Sequence, residues 1–376
     1  MFFCDKYVKV NNIEKLFKVF FIMKGFLMVC QCKGDINIPE KAKLYISSNV
    51  EYLSGKTKIV VEKMNHLTQN YNGYLEFLIE DFSDFITQLS IDKFSVTEQD
   101  EINILALEID EPFNFNSFSK TRTLKSWIEV CSSTNIIKMI NDNNLTIHFQ
   151  PIVDLKNKEI FGYECLTRGY DDDGKFISPI EIFDFAKRND MIFKLDNQAR
   201  KNAIKMSALK NIKSKIFINF IPTSIYDPAN CLRETIKIMN EFNLKPEQII
   251  FEVVESEKIN NIAHLKRIMD FYRKEGFLTA LDDLGSGYSS LNMFVRLNPD
   301  FIKIDQDIIR DIHKEKSKQS IFNALVNIAK DTGTKVLAEG IETKEELEFI
   351  NSFDIDLAQG YYFAKPTAEP VMSLSF

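Results

Sequence analysis

Histidine is scarce in this chain. His66, His148, His264 and His313 are the whole supply, and none stands in an HExxH or HxH spacing, which argues against a metal site built on imidazoles. Cysteine offers no framework either. Cys4, Cys30, Cys32, Cys131, Cys165 and Cys231 are scattered without paired spacing, the pattern of reduced thiols in a cytosolic chain. An excess of basic charge is also missing: Lys+Arg number 47 against Asp+Glu 54, a net charge of −7. That balance excludes a general electrostatic grip on DNA or RNA. An anionic substrate is admissible only where bound cations or a few placed basic side chains offset the repulsion. Finally, no long apolar run is present. The best stretch, residues 16–30 (LFKVFFIMKGFLMVC), is interrupted by Lys18 and Lys24 and is too short for a helix through about 30 Å of hydrocarbon. It lacks a small-residue cleavage site, so it does not read as a signal peptide. Its apolar halves, 19–23 and 26–30, flank Lys24-Gly25 and predict a buried hairpin. The expectation is a cytoplasmic protein with no integral membrane segment.

What is there is ample core. Hydrophobic residues make up 45% of the 376, and a chain of this length suggests two domains. Residues 1–110 mix strand-like runs (43–47, 58–61 and 102–109) with a helical pattern over 74–89, and read as a small α+β domain with no nucleotide, metal or redox signature. Residues 111–144 read as a linker and a connecting helix: Pro112 and its Asn/Ser/Phe neighbours break the periodicity before a helix resumes at 124–140. From residue 145 to about 370, short β-branched runs alternate with amphipathic stretches, the pattern of an α/β domain with a largely parallel sheet. Seven or eight such units fit a closed (β/α) barrel at least as well as an open sheet.

A buried parallel strand should be apolar throughout, yet nearly every run here closes on an acid, amide or amine. Gln150 ends the first, Glu164 lies in GYECLTR, Asn219 in FINF and Glu252 in FEVVE. Asp282 and Asp283 follow LTAL, Lys303 sits in FIKID, Glu339 follows VLA, and Gln359 comes in AQGYYFAKP. Alternation puts Glu164, Leu166 and Arg168 on one face and turns Cys165 to the other. One such residue is ordinarily a solvated loop acid or a helix cap; one on each of so many strands is not ordinary. If the runs close into a barrel, these ends converge on its C-terminal rim.

Carboxylates and an Asn carbonyl are hard oxygen donors suited to Mg²⁺ or Mn²⁺, and so many acids facing one cavity repel unless cations sit among them. Adjacent Asp282 and Asp283 can ligate two ions, with one carboxylate bridging, and such a pair can activate water against a phosphodiester. Lys303 could orient that water or neutralise phosphate charge, while an ion pair with Asp305 or a rim carboxylate competes. Arg168 has the fork for a phosphate or a guanine edge. Gly285 and Gly287 follow the Asp pair and read as a mobile loop, which Glu255 could anchor; a helix-surface or capping role for Glu255 stands equally.

With these residues in place the chain resembles the EAL-domain phosphodiesterases of bacterial cyclic-di-GMP signalling. The likeness runs from about residue 145 to 366: QPIVD at Gln150, GYECLTR where the family has G-x-E-A-L-x-R, Asn219, the E-x-x-E of Glu252 and Glu255, DDLGSGYSSL, IKID, AEGIET and QGYYFAKP, in the family's order. The resemblance implies a modified TIM (β/α)8 barrel, preceded here by the smaller α+β domain, whose first strand runs antiparallel. It also implies hydrolysis of cyclic-di-GMP to linear pGpG with two Mg²⁺ or Mn²⁺ ions. By position, Glu164, Asn219, Glu252 and Asp282 should hold one ion. Asp282 and Asp283 should hold the second, with Glu339 near it directly or through water. Lys303 should position the attacking water, and Gln150, Arg168 and Gln359 should contact substrate. Glu255 should anchor the 282–290 loop, which in family fashion forms part of a homodimer interface. Cys165, Leu284 and Ser286 depart from the family's usual Ala, Phe and Thr, and no GGDEF-type synthase motif occurs. The complete ligand set favours catalysis, regulated by the N-terminal domain, over a non-catalytic receptor for the dinucleotide or a scaffold.

Overall fold

β1 (Ala42–Ser48) turns Ala42, Leu44 and Ile46 into a core, with α1 (Glu51–Lys63) packed behind it through Leu53, Thr57 and Val61. The computed structural model describes residues 35–71, 73–90, 93–254, 261–285 and 290–374; the hairpin expected at 16–30, Glu255 and the loop residues 286–289 lie outside them. β2 (Gln69–Tyr71), β3 (Tyr74–Ile79), α2 (Phe82–Ser90), α3 (Val96–Glu101) and β4 (Ile102–Leu107) follow, and β5 (Arg122–Thr123) completes an antiparallel sheet of order β2-β3-β1-β4-β5. α4 (Leu124–Ser132) and α5 (Thr134–Asn141) pack on this unit, with Trp127 edge-on to Phe82 and its indole N–H donating to the Ile104 carbonyl. Residues 111–120 cross the opposite face of the sheet, where Phe113 meets Tyr45 and Phe118 meets Tyr74.

Two local expectations change. Residues 58–61, read as a strand, lie in α1, because Thr57 and Val61 continue the spacing-four stripe begun by Leu53. Residues 74–89, read as one helix, divide into β3 and α2: Phe77 and Ile79 are buried while Leu78 is exposed, the alternation of a strand paired with β1.

The barrel begins with β6 (Leu145–Asp154) and β7 (Glu159–Tyr170), a long antiparallel pair. After the short β8 (Phe176–Ile177) and helices α6 (Pro179–Arg188) and α7 (Ile192–Leu209), strand–helix units follow. They are β9 (Lys215–Phe220) with α8 (Pro228–Cys231) and α9 (Arg233–Glu241), then β10 (Ile249–Val254) with α10 (Ile262–Lys274), then β11 (Leu278–Leu284) with α11 (Ser290–Leu297). β12 (Phe301–Ile304), α12 (Gln306–Ile309), α13 (Lys316–Thr332), β13 (Lys335–Ala338), α14 (Lys344–Asn351) and β14 (Leu357–Ala358) complete the turn. Strands β7 and β9 to β14 are parallel neighbours in series, and β14 closes on β6 antiparallel. The result is a closed eight-stranded barrel whose first strand runs against the rest.

Outward-facing strand residues join the helices in one large apolar core that includes Cys165, Ile218, Phe251, Leu281 and Ile302. Inward, a smaller apolar layer fills the barrel: Ile152, Phe217, Ile250, Ala280, Phe301, Leu337 and Leu357. This layer positions everything above it. Asn219, Glu252, Asp282, Lys303, Glu339 and Gln359 each stand two residues after one of its members, hence on the same inner face one step nearer the rim, and Gln150 stands two before Ile152 on the antiparallel strand.

Candidate active site

At the rim the strands bring a single ammonium among several carboxylates. Lys303 Nζ lies 2.9 Å from Glu339 Oε1, 3.0 Å from both Glu252 Oε1 and Asp282 Oδ1, and 3.8 Å from Glu164 Oε1. Burial alone would lower the Lys303 ammonium, but Asp282, Glu164, Glu252 and Glu339 outweigh it and hold its pKa well above the ordinary lysine value. The competing partner Asp305 is used differently: it caps α12 by accepting from the Asp307 N–H at 2.7 Å. Burial, reinforced by neighbouring carboxylates, raises Glu252 and Glu339 well above the usual carboxylate range despite Lys303.

The amides frame Glu164. Asn219 Nδ2 donates to its Oε1 at 3.2 Å and Gln359 Nε2 to its Oε2 at 2.7 Å, which leaves both amide oxygens, Asn219 Oδ1 and Gln359 Oε1, buried without a donor. Glu252 Oε2 is buried without a donor as well. Unpaired buried acceptors are costly, and three of them around five carboxylates are the donor set of a hard divalent cation. The residues present fit such ions.

Asp282 and Asp283 reach the rim together because the strand is irregular there. The β11–β12 register shifts between Leu281 and Leu284, both packed in the outer core, and Asp283 takes φ 57°, a left-handed conformation that Asp tolerates better than most residues. Two side chains therefore occupy the interval where strict alternation allows one. Asp282, Asp283 and Glu339 can each present an oxygen within 4.8 Å of the others. Burial first, then the Asp282 and Asp305 carboxylates, push Asp283 up to about 7.

Two cavities flank the cluster. One, of about 240 Å³, is lined by Gln150, Glu164, Asp283, Glu339, Gln359 and Asp305, the last named from the sequence only as a possible partner of Lys303. Alternation from Lys303 was the signal for Asp305, two residues on. Gln306, Gly340, Glu342 and Tyr361, also on its wall, carried no such signal. The other, of about 480 Å³, has apolar walls at Pro179, Ile180, Phe183 and Phe220 with Arg168, Asn219 and Asp282 at its edge. Arg168 is thus set apart from the carboxylate cluster; its Nη1 donates to the Thr167 carbonyl, and burial lowers its pKa against the pull of Glu164. Gln150 Nε2 lies 3.5 Å from the Ala364 carbonyl. Cys165 points outward, buried, its Sγ 3.6 Å from Ser207 Oγ.

An eight-stranded α/β barrel with one reversed strand and a rim of hard oxygen donors around a buried lysine is the class of protein defined here. The EAL-domain profile matches residues 134–366, more than half of the chain, and the chain belongs to that family. Among curated proteins it is similar to the probable cyclic di-GMP phosphodiesterase PdeG of Escherichia coli, 30% identical over 61% of this chain and 46% of that one. The chain thus spans about half the length of that relative. Among solved structures it is similar to a standalone EAL protein from Vibrio cholerae in its c-di-GMP-bound form, at 37% identity over 61% of this chain and 95% of that one, TM-score 0.56. A calcium/cy-diGMP complex of BlrP1 from Klebsiella pneumoniae matches over 89% of this chain and 98% of that one at 20% identity, TM-score 0.56, a likeness of fold that extends into the N-terminal unit. No helix among the described residues is long and apolar enough to cross a membrane.

Proposed function

We propose that the barrel hydrolyses cyclic-di-GMP to linear pGpG with Mg²⁺ or Mn²⁺. The observation that carries this reading is the set of buried acceptor oxygens, Asn219 Oδ1, Glu252 Oε2 and Gln359 Oε1, left without donors beside Glu164, Asp282, Asp283 and Glu339. Glu164, Asn219, Glu252 and Asp282 would hold one cation, and Asp282, Asp283 and Glu339 a second. Such cations lower the pKa of water and offset charge on a phosphodiester. The chain's own groups do the rest. Lys303, kept protonated by four carboxylates, donates hydrogen bonds that orient a water and counter charge gathering on phosphate oxygen. Glu164 is fixed by Asn219 and Gln359, so its carboxylate cannot turn away. The apolar walls of the larger cavity suit a purine, with Arg168 at its edge for phosphate or guanine, and Gln150 and Gln359 hold substrate on the other side.

In this reading the protein is cytoplasmic, works as a homodimer through the barrel, and divides into a regulatory unit up to residue 110, a segment over 111–144 that packs on that unit through β5, α4 and α5, and the catalytic barrel over 145–370. The test is incubation of the purified chain with cyclic-di-GMP and Mg²⁺, with product followed by chromatography and EDTA as control. Formation of pGpG that EDTA abolishes supports the proposal. Tight binding without product makes the protein a receptor, and neither binding nor turnover leaves a scaffold.

A further inference from the structure

Glu339 belongs to a carboxylate group whose members repel one another, so something must keep it from swinging out of the mouth. Lys303 holds its side chain at 2.9 Å, and backbone bonds hold the strand end on both sides: Glu339 N–H donates to the Ile304 carbonyl at 3.1 Å, while Gln359 N–H donates to the Ala338 carbonyl at 2.9 Å and Ile341 N–H to the Gln359 carbonyl at 3.1 Å. Past Glu339 the chain leaves β13 as a loop.

That loop is tied down by a carboxylate in the first turn of α14. Glu346, 1% exposed, accepts at Oε2 from the Glu342 and Thr343 N–H groups, both at 3.0 Å, and at Oε1 from the Asp311 N–H at 2.9 Å. A capping box with Thr343 accounts for the Thr343 contact. It does not account for Asp311, which lies 35 residues away in sequence, beyond α12. Two further contacts join the same pair of segments. Gly340, at φ 70°, lies so close to α12 that a Cβ there would stand 2.3 Å from Gln306 Cβ, and Arg310 pairs with Glu342 at the surface. The buried Glu346–Asp311 bond and the Gly340–Gln306 packing thus lock the loop carrying Glu339 to the segment carrying Asp305 and Gln306, with the exposed Arg310–Glu342 pair adding little, and the two segments form one wall of the smaller cavity.

We infer that Glu346 is a positioning residue for Glu339: its carboxylate staples the loop after β13 to the Asp311 turn and holds Glu339 in register with Asp282 and Asp283 for cation binding. The inference rests on the proposed reading of the site, and one titration separates the two. Glu346→Gln keeps the side chain's shape but has one acceptor oxygen for three N–H groups, so at least one strut is lost. Mn²⁺ is titrated into the cation-free full-length chain, without substrate, and free Mn²⁺ is read by its paramagnetic resonance. The expected result is wild-type binding and about ten-fold weaker binding in Glu346→Gln, the scale on which supporting groups act on metal affinity. Arg310→Ala, which severs only the exposed pair, should bind Mn²⁺ like wild type. If Glu346→Gln does not fold, Gly340→Ala displaces the same loop from Gln306 and should weaken Mn²⁺ equally. Wild-type affinity in the folded variants overturns the inference and leaves Glu346 a helix cap. A wild-type chain that takes up no Mn²⁺ overturns instead the reading of the site, and this inference with it.

Discussion

Lys303 Nζ sits 3.0 Å from Glu252 Oε1, and both side chains are almost wholly withdrawn from solvent, at 1% and 0% exposure. Neither would be tolerable there alone. The ammonium is surrounded by more acids than it can neutralise, and the excess is what points to divalent cations.

Replacing Lys303 should therefore damage the fold and the chemistry together. Lys303→Met leaves Glu252 and Glu339 buried without their cation and is expected to cost about 3–5 kcal/mol in cation-free protein. Turnover should fall by about 10² or more, the scale of a lost hydrogen-bond donor to developing charge. Urea unfolding with and without Mn²⁺ checks the first part, and pGpG formation the second. Wild-type stability in the cation-free variant would show that the pairing is incidental.

The raised Asp283 gives a pH dependence with a definite sign. Its folded pKa of about 7 lies above the ordinary carboxylate value of about 4, so the folded chain binds this proton more tightly than the unfolded chain. Stability of the cation-free protein should fall as pH rises between those values, with the raised Glu252 and Glu339 adding to the loss in the same direction. Asp283→Asn should lessen that slope, leaving the share of Glu252 and Glu339, and saturating Mn²⁺ should reverse it because the ligands must be deprotonated to bind. Urea midpoints measured from about pH 5 to about pH 8 decide the matter; a slope of the opposite sign contradicts the burial of this carboxyl.

On the wall of the larger cavity, Asp196 pairs with Arg200 at 2.8 Å, each 2% exposed, and also accepts from Ile221 N–H and Ser224 Oγ in the loop after β9. Asp196→Ala should cost about 3–5 kcal/mol by leaving the guanidinium unpaired. Thermal unfolding at constant Mn²⁺ checks this, and a loss well under 1 kcal/mol would mean the pair is hydrated.

Cys165→Ala should be nearly silent in turnover while costing about 1 kcal/mol of stability through a small cavity. Burial pushes this thiol up to about 12, so alkylating reagents should leave it untouched in the folded chain. A large fall in turnover would mean that Cys165 faces the mouth.

Most of the rim was legible because alternation is a strong rule in a closed barrel. Once Phe217, Ile250 and Leu337 are read as inward apolar residues, Asn219, Glu252 and Glu339 follow two positions later. The bulge at Asp283 was not legible in that way: adjacency suggested two ligands, but only the register shift against β12 explains how both carboxylates reach one side. Residues 74–89 misled for a related reason. Leu75, Phe77, Leu78 and Phe82 satisfy a helical stripe, and only pairing with Leu44 and Ile46 across the sheet makes the first part a strand. Contacts between distant segments, such as Glu346 with Asp311, leave no local pattern at all.

Cations are expected to collect where oxygens from different strands meet at the barrel mouth. Anomalous diffraction from crystals grown in Mn²⁺ tests it most directly. Two peaks are expected, one among Glu164, Asn219, Glu252 and Asp282 and the other among Asp282, Asp283 and Glu339. A mouth without peaks, with Lys303 still bridging Glu252, Asp282 and Glu339 at saturating Mn²⁺, would contradict it.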